Sequence, residues 1–589
     1  MAELSSQPTS VQSAYGWHSE ERLYVNRRYQ RKLVWTLVEK QKLIGSIMKK
    51  YPIPAILLAE QGDGTARYEI IDGLQRLNAI VSFIEGAFPT EDGRYFDISQ
   101  FPTAKTNWEN GKYTPNSQEN LISSKEVSVI LDYALAFSIM RNASNDEVDD
   151  VFDRINSYGH RLSEQERRQS GSQNEFSDMV RSIACKIRGD ESQLLLPLSK
   201  MPEISIDLPM TKHGYDVKAE DVFWVEQGIL KSTDLRDSMD EQCIADIAAS
   251  IIGGTVLERA KDVLDKIYER NSEESIQLLS AMAVYGVERF VSEFEYCVSQ
   301  IELICEHGGD TKLRDIIFEH KNTNAFPAVF SVIFIAFHEI MVGERKSVND
   351  YDGLKKAVDN LNRRIDTSRK STSSEERRKN IDIIKALISP HFSNVDPSSD
   401  IYANHSAVDI DNYIRSTGME LSRYELKQGL LELDTGRKLN SGLLSRLIQT
   451  ACGIANNGPE RAGRIILGVA NEEKDAERIV KLDGIRARRV GSWHVVGIDR
   501  EAKALGISLE AYHNIIRTAF QNSDLSDPLK TNILSSIDYN AYYGLGVIVI
   551  SILPQKEPSY VGEEMYWRDG DNTKIAKEAK LIAEIGRRF

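Results

Sequence analysis

Ile71-Asp72-Gly73-Leu74-Gln75-Arg76 sits between two different hydrophobic patterns, and that change of pattern sets the fold of the first part of the chain. Before it, Ala55 to Ala59 and Tyr68 to Ile71 read as short buried strands, with Gln61-Gly62-Asp63-Gly64 as the hairpin turn between them. After it, apolar residues recur at helical spacing from about Gln75 to Ile84, and Gly86 stops the helix. Asp72-Gly73 therefore marks a strand-to-helix junction. Upstream, Leu37 to Lys50 carries Leu37, Leu43, Ile44, Ile47 and Met48 on one helical face, and Pro52 and Pro54 end it. The pattern is that of an α+β domain.

Working outward, residues 1–22 read as a flexible arm, and residues 23–200 as the α+β domain. Val127 to Leu135 reads as a further strand and Asn145 to Asn156 as a helix with an acidic start. Ser163 with Glu166 three residues on reads as a capping box opening another helix. Residues 201–392 read almost entirely helical. Residues 393–412 are polar and turn-rich and read as a linker. Residues 413–589 return to an α/β pattern: a strand at Tyr424–Lys427, a helix at Leu443–Ala455, a strand at Arg464–Val469 and a long β-branched strand at Gly544–Leu553. The expected architecture is a multidomain α+β protein with an all-helical middle and an α/β C-terminal domain. At roughly 100–200 residues per domain, 589 residues make about three or four.

Composition narrows the function classes. With 41% hydrophobic and 27% charged residues the chain is globular, not disordered. Its formal net charge of −15 excludes a basic nucleic-acid coat protein, so any nucleic-acid site has to be a local basic patch. The acidity also disfavours anionic membrane surfaces. The five cysteines include no CxxC pair, which predicts reduced thiols and neither a disulfide framework nor a zinc ribbon. The longest apolar run, Ala325 to Phe337, is shorter than the roughly 20 residues a membrane span needs. The expected location is cytoplasmic.

Three polar clusters stand out in the first domain: Tyr29-Gln30-Arg31 with Trp35; Asp72 to Arg76; and Phe152-Asp153-Arg154-Ile155-Asn156-Ser157-Tyr158-Gly159. A glycine at a strand-to-helix turn lets backbone amides approach an anion, and the helix N-terminus adds roughly half a positive charge. Arg76 offers a planar fork for phosphate oxygens, Gln75 can orient a water or a phosphate, and Asp72 can bind Mg²⁺ or act as a base. These are parts for phosphoryl or phosphodiester hydrolysis. Read without function, the same residues make a tight turn in which Asp72 caps the helix and Arg76 is solvated or paired.

Tyr29-Gln30-Arg31…Trp35, Ile53-Pro54, Ile71 to Leu77 and Val151 to Ser163, in this order, resemble the ParB/sulfiredoxin-like N-terminal domain of the GmrS–GmrD family of modification-dependent restriction systems. Leu74 stands where that family has a first glutamine. The resemblance implies binding and hydrolysis of a nucleoside triphosphate with Mg²⁺, or a part in DNA cleavage. It makes Asp72, Gln75 and Arg76 the catalytic set, with Asp72 also a metal ligand. Tyr29, Gln30, Arg31, Gly73 and Asn156 then line the nucleotide cleft. The His-Asn-His nuclease module that relatives often carry has no counterpart among the ten histidines here.

A second constellation lies near the C-terminus. Glu420 and Glu425 with Lys427 could hold a divalent cation beside a scissile phosphate, or form a solvated strand edge with alternating charge. Together with Gly453-Ile454-Ala455-Asn456-Asn457, Gly468-Val469 and Tyr566-Trp567-Arg568-Asp569-Gly570-Asp571-Asn572-Thr573, these blocks resemble the Schlafen AlbA-like domain. The resemblance implies a nucleic-acid-binding domain with Glu420 and Glu425 as the first two of three carboxylates. Ala470-Asn471 occupies the place of the third, with Glu472, Glu473 and Asp475 nearby. Lys481, Arg486, Arg488 and Arg489 form a local basic stretch, with Trp493 available to stack a base. The combined expectation is a nucleotide-dependent effector of restriction-type, anti-phage defence. The alternative is a non-enzymatic DNA- or RNA-binding regulator or adaptor. The helical middle reads as a scaffold or as the interface of a homo-oligomer.

Overall fold

The structure is a computed structural model. It describes residues 3–26, 33, 35–60, 67–144, 147–148, 151, 154, 163–171, 174–189, 195–201, 204–205, 217–319, 323–367, 372–417, 422–459 and 462–589. The chain forms two compact units. The first comprises Met1–Val291, Ile304–Ile340 and Val348–Phe392; the second comprises Ser292–Leu303, Met341–Ser347 and Ser393–Phe589.

The first unit begins with β1 (Glu3–Ser10) and α1 (Val11–Ser19), followed by β2 (Leu23–Asn26), α2 (Leu37–Met48), β3 (Ile56–Glu60), β4 (Tyr68–Asp72), α3 (Leu74–Ile84), β5 (Ala134–Arg141) and β6 (Leu195–Pro197). These strands make one six-stranded mixed sheet of order β1-β5-β3-β4-β2-β6. β5 runs parallel to β3, and β4 parallel to β2, while the other neighbours are antiparallel. One face carries Leu23, Leu58, Ile70, Phe137 and Ile139 into a core closed by Val11, Tyr15, Ile44, Leu77 and Phe83 from the three helices. The opposite face holds a smaller cluster around Ala59, Ile71, Met140 and Val148. Thr36 and Glu39 cap α2 reciprocally, which fixes where that helix starts.

Two sequence expectations fail here for identifiable reasons. Residues 3–19 are not an arm. Their alternation was hidden by serine and threonine, yet β1 pairs with β5 over its whole length and Val11, Ala14 and Tyr15 are buried. Val127 to Leu135 is not one strand. Ser123 and Glu126 form a capping box that opens a helix at Ser124–Leu131, and the strand starts only at Ala134. The hairpin turn 61–64 lies outside the described residues, and the 145–156 helix largely does.

No packing break separates 23–200 from 201–392. Arg188, on the helix Glu175–Arg188, reaches Asp240 (3.0 Å) and Glu241 (3.3 Å) on the helix Met239–Ile252, and all three side chains are fully buried. Arg377 makes a bidentate pair with Asp246 of the same helix at 2.9 and 2.8 Å. The strands in the described part of 201–392 are three two-residue pieces and the first residue of a fourth, Phe392–Ser393, and most of the rest is helical. Ser163 and Glu166 make the expected reciprocal cap. All five cysteines are free thiols. No described helix is long and apolar enough to cross a membrane, and the Ala325–Phe337 run is the buried helix Pro327–His338.

In the second unit, 393–412 is not a structureless linker. Ser398–Ile401 and Ala407–Ser416 are helical, and Ile401, Val408 and Ile410 are buried. A four-stranded sheet has the order Tyr424–Lys427, Gly463–Leu467, Leu545–Ile552, Ile537–Tyr542. The helices Ser441–Ala455 and Leu509–Gln521 cover one face, the helix Ala407–Ser416 the other. Segments 292–303 and 341–347, which the sequence placed in the helical middle, belong to this unit.

Candidate functional site

The strand-to-helix junction forms where the sequence placed it. Gly73 has φ +99°, and a Cβ there would lie 2.9 Å from Ile56 Cγ1, so only glycine fits both the backbone and the space. No side chain caps the first turn of α3, whose leading residues alternate between buried (Gly73, Leu74, Arg76) and half-buried (Gln75). Because β2 and β4 are parallel, Asn26 and Asp72 end at the same margin of the sheet. There Asn26 Nδ2 donates to Glu69 Oε1 at 2.9 Å, and burial holds the Glu69 carboxyl above its usual value. Chain leaving β2 returns to α3, where the Trp35 amide donates to Gln75 Oε1 at 3.3 Å. Tyr29, Gln30 and Arg31 fall within that excursion but outside the described residues, as do Asn156 and most of its block.

Arg76 occupies a different place from the one expected of a phosphate fork. It is buried and turned into the fold. Nη1 donates to the carbonyls of Pro54 (2.7 Å) and Ala55 (3.1 Å), and Nη2 donates to Asp72 Oδ2 (2.7 Å). It thus ties the start of β3 to the start of α3 and orients Asp72. Asp72 keeps 43% of its side chain exposed. The side chains left partly exposed at the junction are the Asp72 carboxylate and Gln75.

Residues 16–171 match the family model described as GmrSD restriction endonuclease, N-terminal domain. A comparison with curated proteins gave no match. The GmrSD-like stretch holds all three polar clusters of the first domain and begins inside α1, which the sequence reading missed.

The C-terminal blocks also converge. Glu425, on the strand Tyr424–Lys427, meets Lys427 Nζ through Oε1 at 2.5 Å and accepts from Arg568 Nη1 through Oε2 at 2.9 Å. Arg568 is buried, and it also donates to the Tyr424 carbonyl (3.2 Å) and to Thr573 Oγ1 (3.0 Å). Thr573 and Thr450 hydroxyls lie 3.0 Å apart. Asn456, fully buried, donates to the carbonyls of Ser559 (2.9 Å) and Tyr566 (2.7 Å) and accepts from the Ser559 amide (2.8 Å). The late hairpin Tyr566–Asp569/Asn572–Ile575 is thereby pinned to the strand and to the helix Ser441–Ala455.

As placed, Glu425 gives one oxygen to Lys427 and the other to Arg568, so a metal there would have to compete with two cations. Glu420 lies outside the described residues. Among the described residues no group of three or more His, Cys, Asp or Glu side chains is placed to hold a metal. Ala470 is buried in a short strand, while Glu472 and Glu473 are exposed and Glu472 pairs with Lys474 at 2.5 Å.

Sequence reasoning missed the group that fixes the turn after Lys427. Glu501, fully buried, accepts from the amides of Leu430 (2.6 Å) and Leu431 (3.1 Å) and from the Tyr512 hydroxyl (2.7 Å). Arg500 clamps the Gln428 carbonyl (2.6 Å) and Asp483 (2.9 Å). A Cβ on Gly429 would collide with Glu501. These partners are more than 50 residues apart for the turn contacts, and no local pattern announces them. Of the basic stretch, Lys481, Arg486 and Arg489 are exposed, whereas Arg488 faces inward and stacks on Tyr543. Trp493 packs partly against the sheet core.

Proposed function

We propose that this protein is a restriction-type defence effector acting on nucleic acid. Its nucleotide-handling centre is Asp72-Gly73-Leu74-Gln75, and its C-terminal unit, similar to Schlafen AlbA-like domains, binds nucleic acid. The observation that carries the reading is the match of residues 16–171 to a restriction-endonuclease N-terminal domain, with Asp72 half-exposed at an uncapped helix N-terminus.

The outward groups suit a nucleoside triphosphate and a phosphate-shared Mg²⁺. A terminal phosphate at the α3 amides meets the positive end of the helix. Asp72 Oδ2 is held by Arg76, and Oδ1 would be the oxygen available to a cation. One carboxylate plus phosphate oxygens and water is the donor set Mg²⁺ takes. Bound there, Mg²⁺ would neutralise phosphate charge. Gln75 orients the water that attacks the terminal phosphorus as the bridging P–O bond breaks. Arg76 acts through Asp72 and is a positioning residue.

Phosphate release from each of the four nucleoside triphosphates with Mg²⁺, with and without DNA or RNA, tests this. Asp72→Asn and Gln75→Ala are expected to keep the melting temperature and to lower turnover by about 10²-fold or more. Release that survives both substitutions would refute the assignment. No release under any condition would favour the second reading, a nucleic-acid-binding regulator. That reading draws support from the arginines of both motifs, each engaged within the fold.

A further inference from the structure

In the second unit, the sheet face beneath the helix Ala407–Ser416 is lined by more than apolar side chains. Tyr542 and Tyr543 meet edge to face, with ring centroids 4.8 Å apart. Arg488 lies over the Tyr543 ring with Cζ 3.6 Å from its centroid. The Tyr542 hydroxyl donates to Asp411, and the Tyr543 hydroxyl donates to Glu302. Glu302 Oε2 stands 3.9 Å from Arg488 Nη2. Glu302 comes from the segment 292–303, almost 200 residues earlier in the chain but part of this unit. That segment carries Glu293, Glu295 and Glu302 and no lysine or arginine. Glu293 and Glu295 are buried, and the Tyr402 hydroxyl donates to Glu293 at 2.8 Å.

A guanidinium stacked on an aromatic ring beside a tyrosine hydroxyl is a set of groups that reads phosphate: a planar donor fork, a neutral donor and a rigid platform. Here a carboxylate stands where such an anion would. The strand Arg488–Val490 turns Arg488 inward and Arg489 outward, since successive side chains alternate. Arg489 joins the exposed Lys481 and Arg486, leaving Arg488 as the inner member of the same basic stretch. Exchanging one anion for another keeps the buried guanidinium balanced, so the exchange avoids the cost of an unpaired buried charge.

We propose that Glu302 is a built-in competitor of nucleic-acid phosphate: a polynucleotide backbone landing on Lys481, Arg486 and Arg489 displaces the Glu302 carboxylate from Arg488 and Tyr543. The proposal rests on the reading of the C-terminal unit as a nucleic-acid binder and adds its regulation. Segment 292–303 holds the full chain in a weaker-binding state.

The test uses the full-length protein with a labelled single-stranded DNA and the matching RNA, titrated across a series of salt concentrations. Glu302→Gln is expected to bind more tightly than wild type and to steepen the slope of log K against log salt by about one. Arg488→Ala in the Glu302→Gln background should remove both gains. In wild type, hydrogen exchange should rise in 292–303 and fall in 486–495 when oligonucleotide is added, a readout independent of any effect of the substitution on folding. Binding by wild type with an unchanged slope in Glu302→Gln, or with 292–303 equally protected, overturns the competitor role and leaves the binding reading standing. No binding by either protein, with both folded, overturns the binding reading and the competitor role together.

Discussion

The two units each place one motif arginine against one motif carboxylate, and they do so to different ends. In the first, Arg76 engages Asp72 from the inside and leaves 43% of that side chain in solvent. In the second, Arg568 and Lys427 take both oxygens of Glu425, which is only 13% exposed. Coulombic attraction and hydrogen bonding are similar at the two pairs, with N···O distances of 2.7 and 2.9 Å. What differs is the lone pairs left over. The fold engages one oxygen of Asp72 and both of Glu425, so a metal, water or phosphate meets less competition at Asp72. Motif identity alone does not separate these cases.

The sharpest way to break the comparison is Arg568→Ala. It strips the Glu425 carboxylate of its buried partner and removes a donor from the Tyr424 carbonyl and the Thr573 hydroxyl. Removing one partner of a buried pair costs about 3–5 kcal/mol, and urea unfolding should register it in the second unit. Arg568→Lys should recover only part, since one ammonium cannot span the three acceptors of the guanidinium fork. A loss below about 1 kcal/mol would mean that Glu425 is solvated, and would reopen it as a ligand.

Arg76→Ala comes next. Its cost should be about 1–2 kcal/mol, from two carbonyls losing their donor; the ion pair adds little because Asp72 is half-exposed. Unfolding measured beside phosphate release would show stability and activity falling together. Asp72→Asn should lower activity alone. Equal stability of Arg76→Ala and wild type would return Arg76 to the role of a free phosphate ligand.

Much of the GmrSD-like domain was legible because its signals are local. Pro54 after α2 and a glycine that must hold φ +99° both act within a few residues of themselves. β1 was not legible. Glu3-Leu-Ser-Ser-Gln-Pro-Thr-Ser has the composition of a loop and becomes a strand only because β5 offers it an edge. The site divided in the same way. Asp72 and Gln75 could be placed at a helix start from spacing, but the inward turn of Arg76 depends on the carbonyls of Pro54 and Ala55, about 20 residues away. In the second unit, Glu501 under Gly429 and Glu302 against Arg488 are meetings of distant segments. A charge run in the sequence therefore mixed exposed and interior arginines without distinction.

The smallest expected effect concerns how firmly the second unit keeps charge out of its interior. His405 lies against Tyr413, whose hydroxyl is 3.3 Å from Nδ1, and Asp538, whose carboxylate is 3.7 Å from Nε2. Burial, and then the nearby Arg464 cation, hold its imidazole below the usual histidine value; Asp538 and Asp409 pull the other way and do not win. With a folded pKa below the unfolded one of about 6.5, the unfolded chain takes up its proton first as pH falls. The stability that neutral His405 contributes is thus complete above about pH 6.5 and declines as pH drops through that value toward the folded pKa. Hydrogen exchange of the helix Ala407–Ser416 should accelerate over that window in wild type. In His405→Gln, which cannot titrate, the acceleration should be weaker, leaving only the carboxylate contribution at lower pH. An identical profile in the two proteins would mean that Asp538 already shares a proton with His405. The second unit would then hold a charged imidazole inside, as the first unit holds charged Arg188 between Asp240 and Glu241.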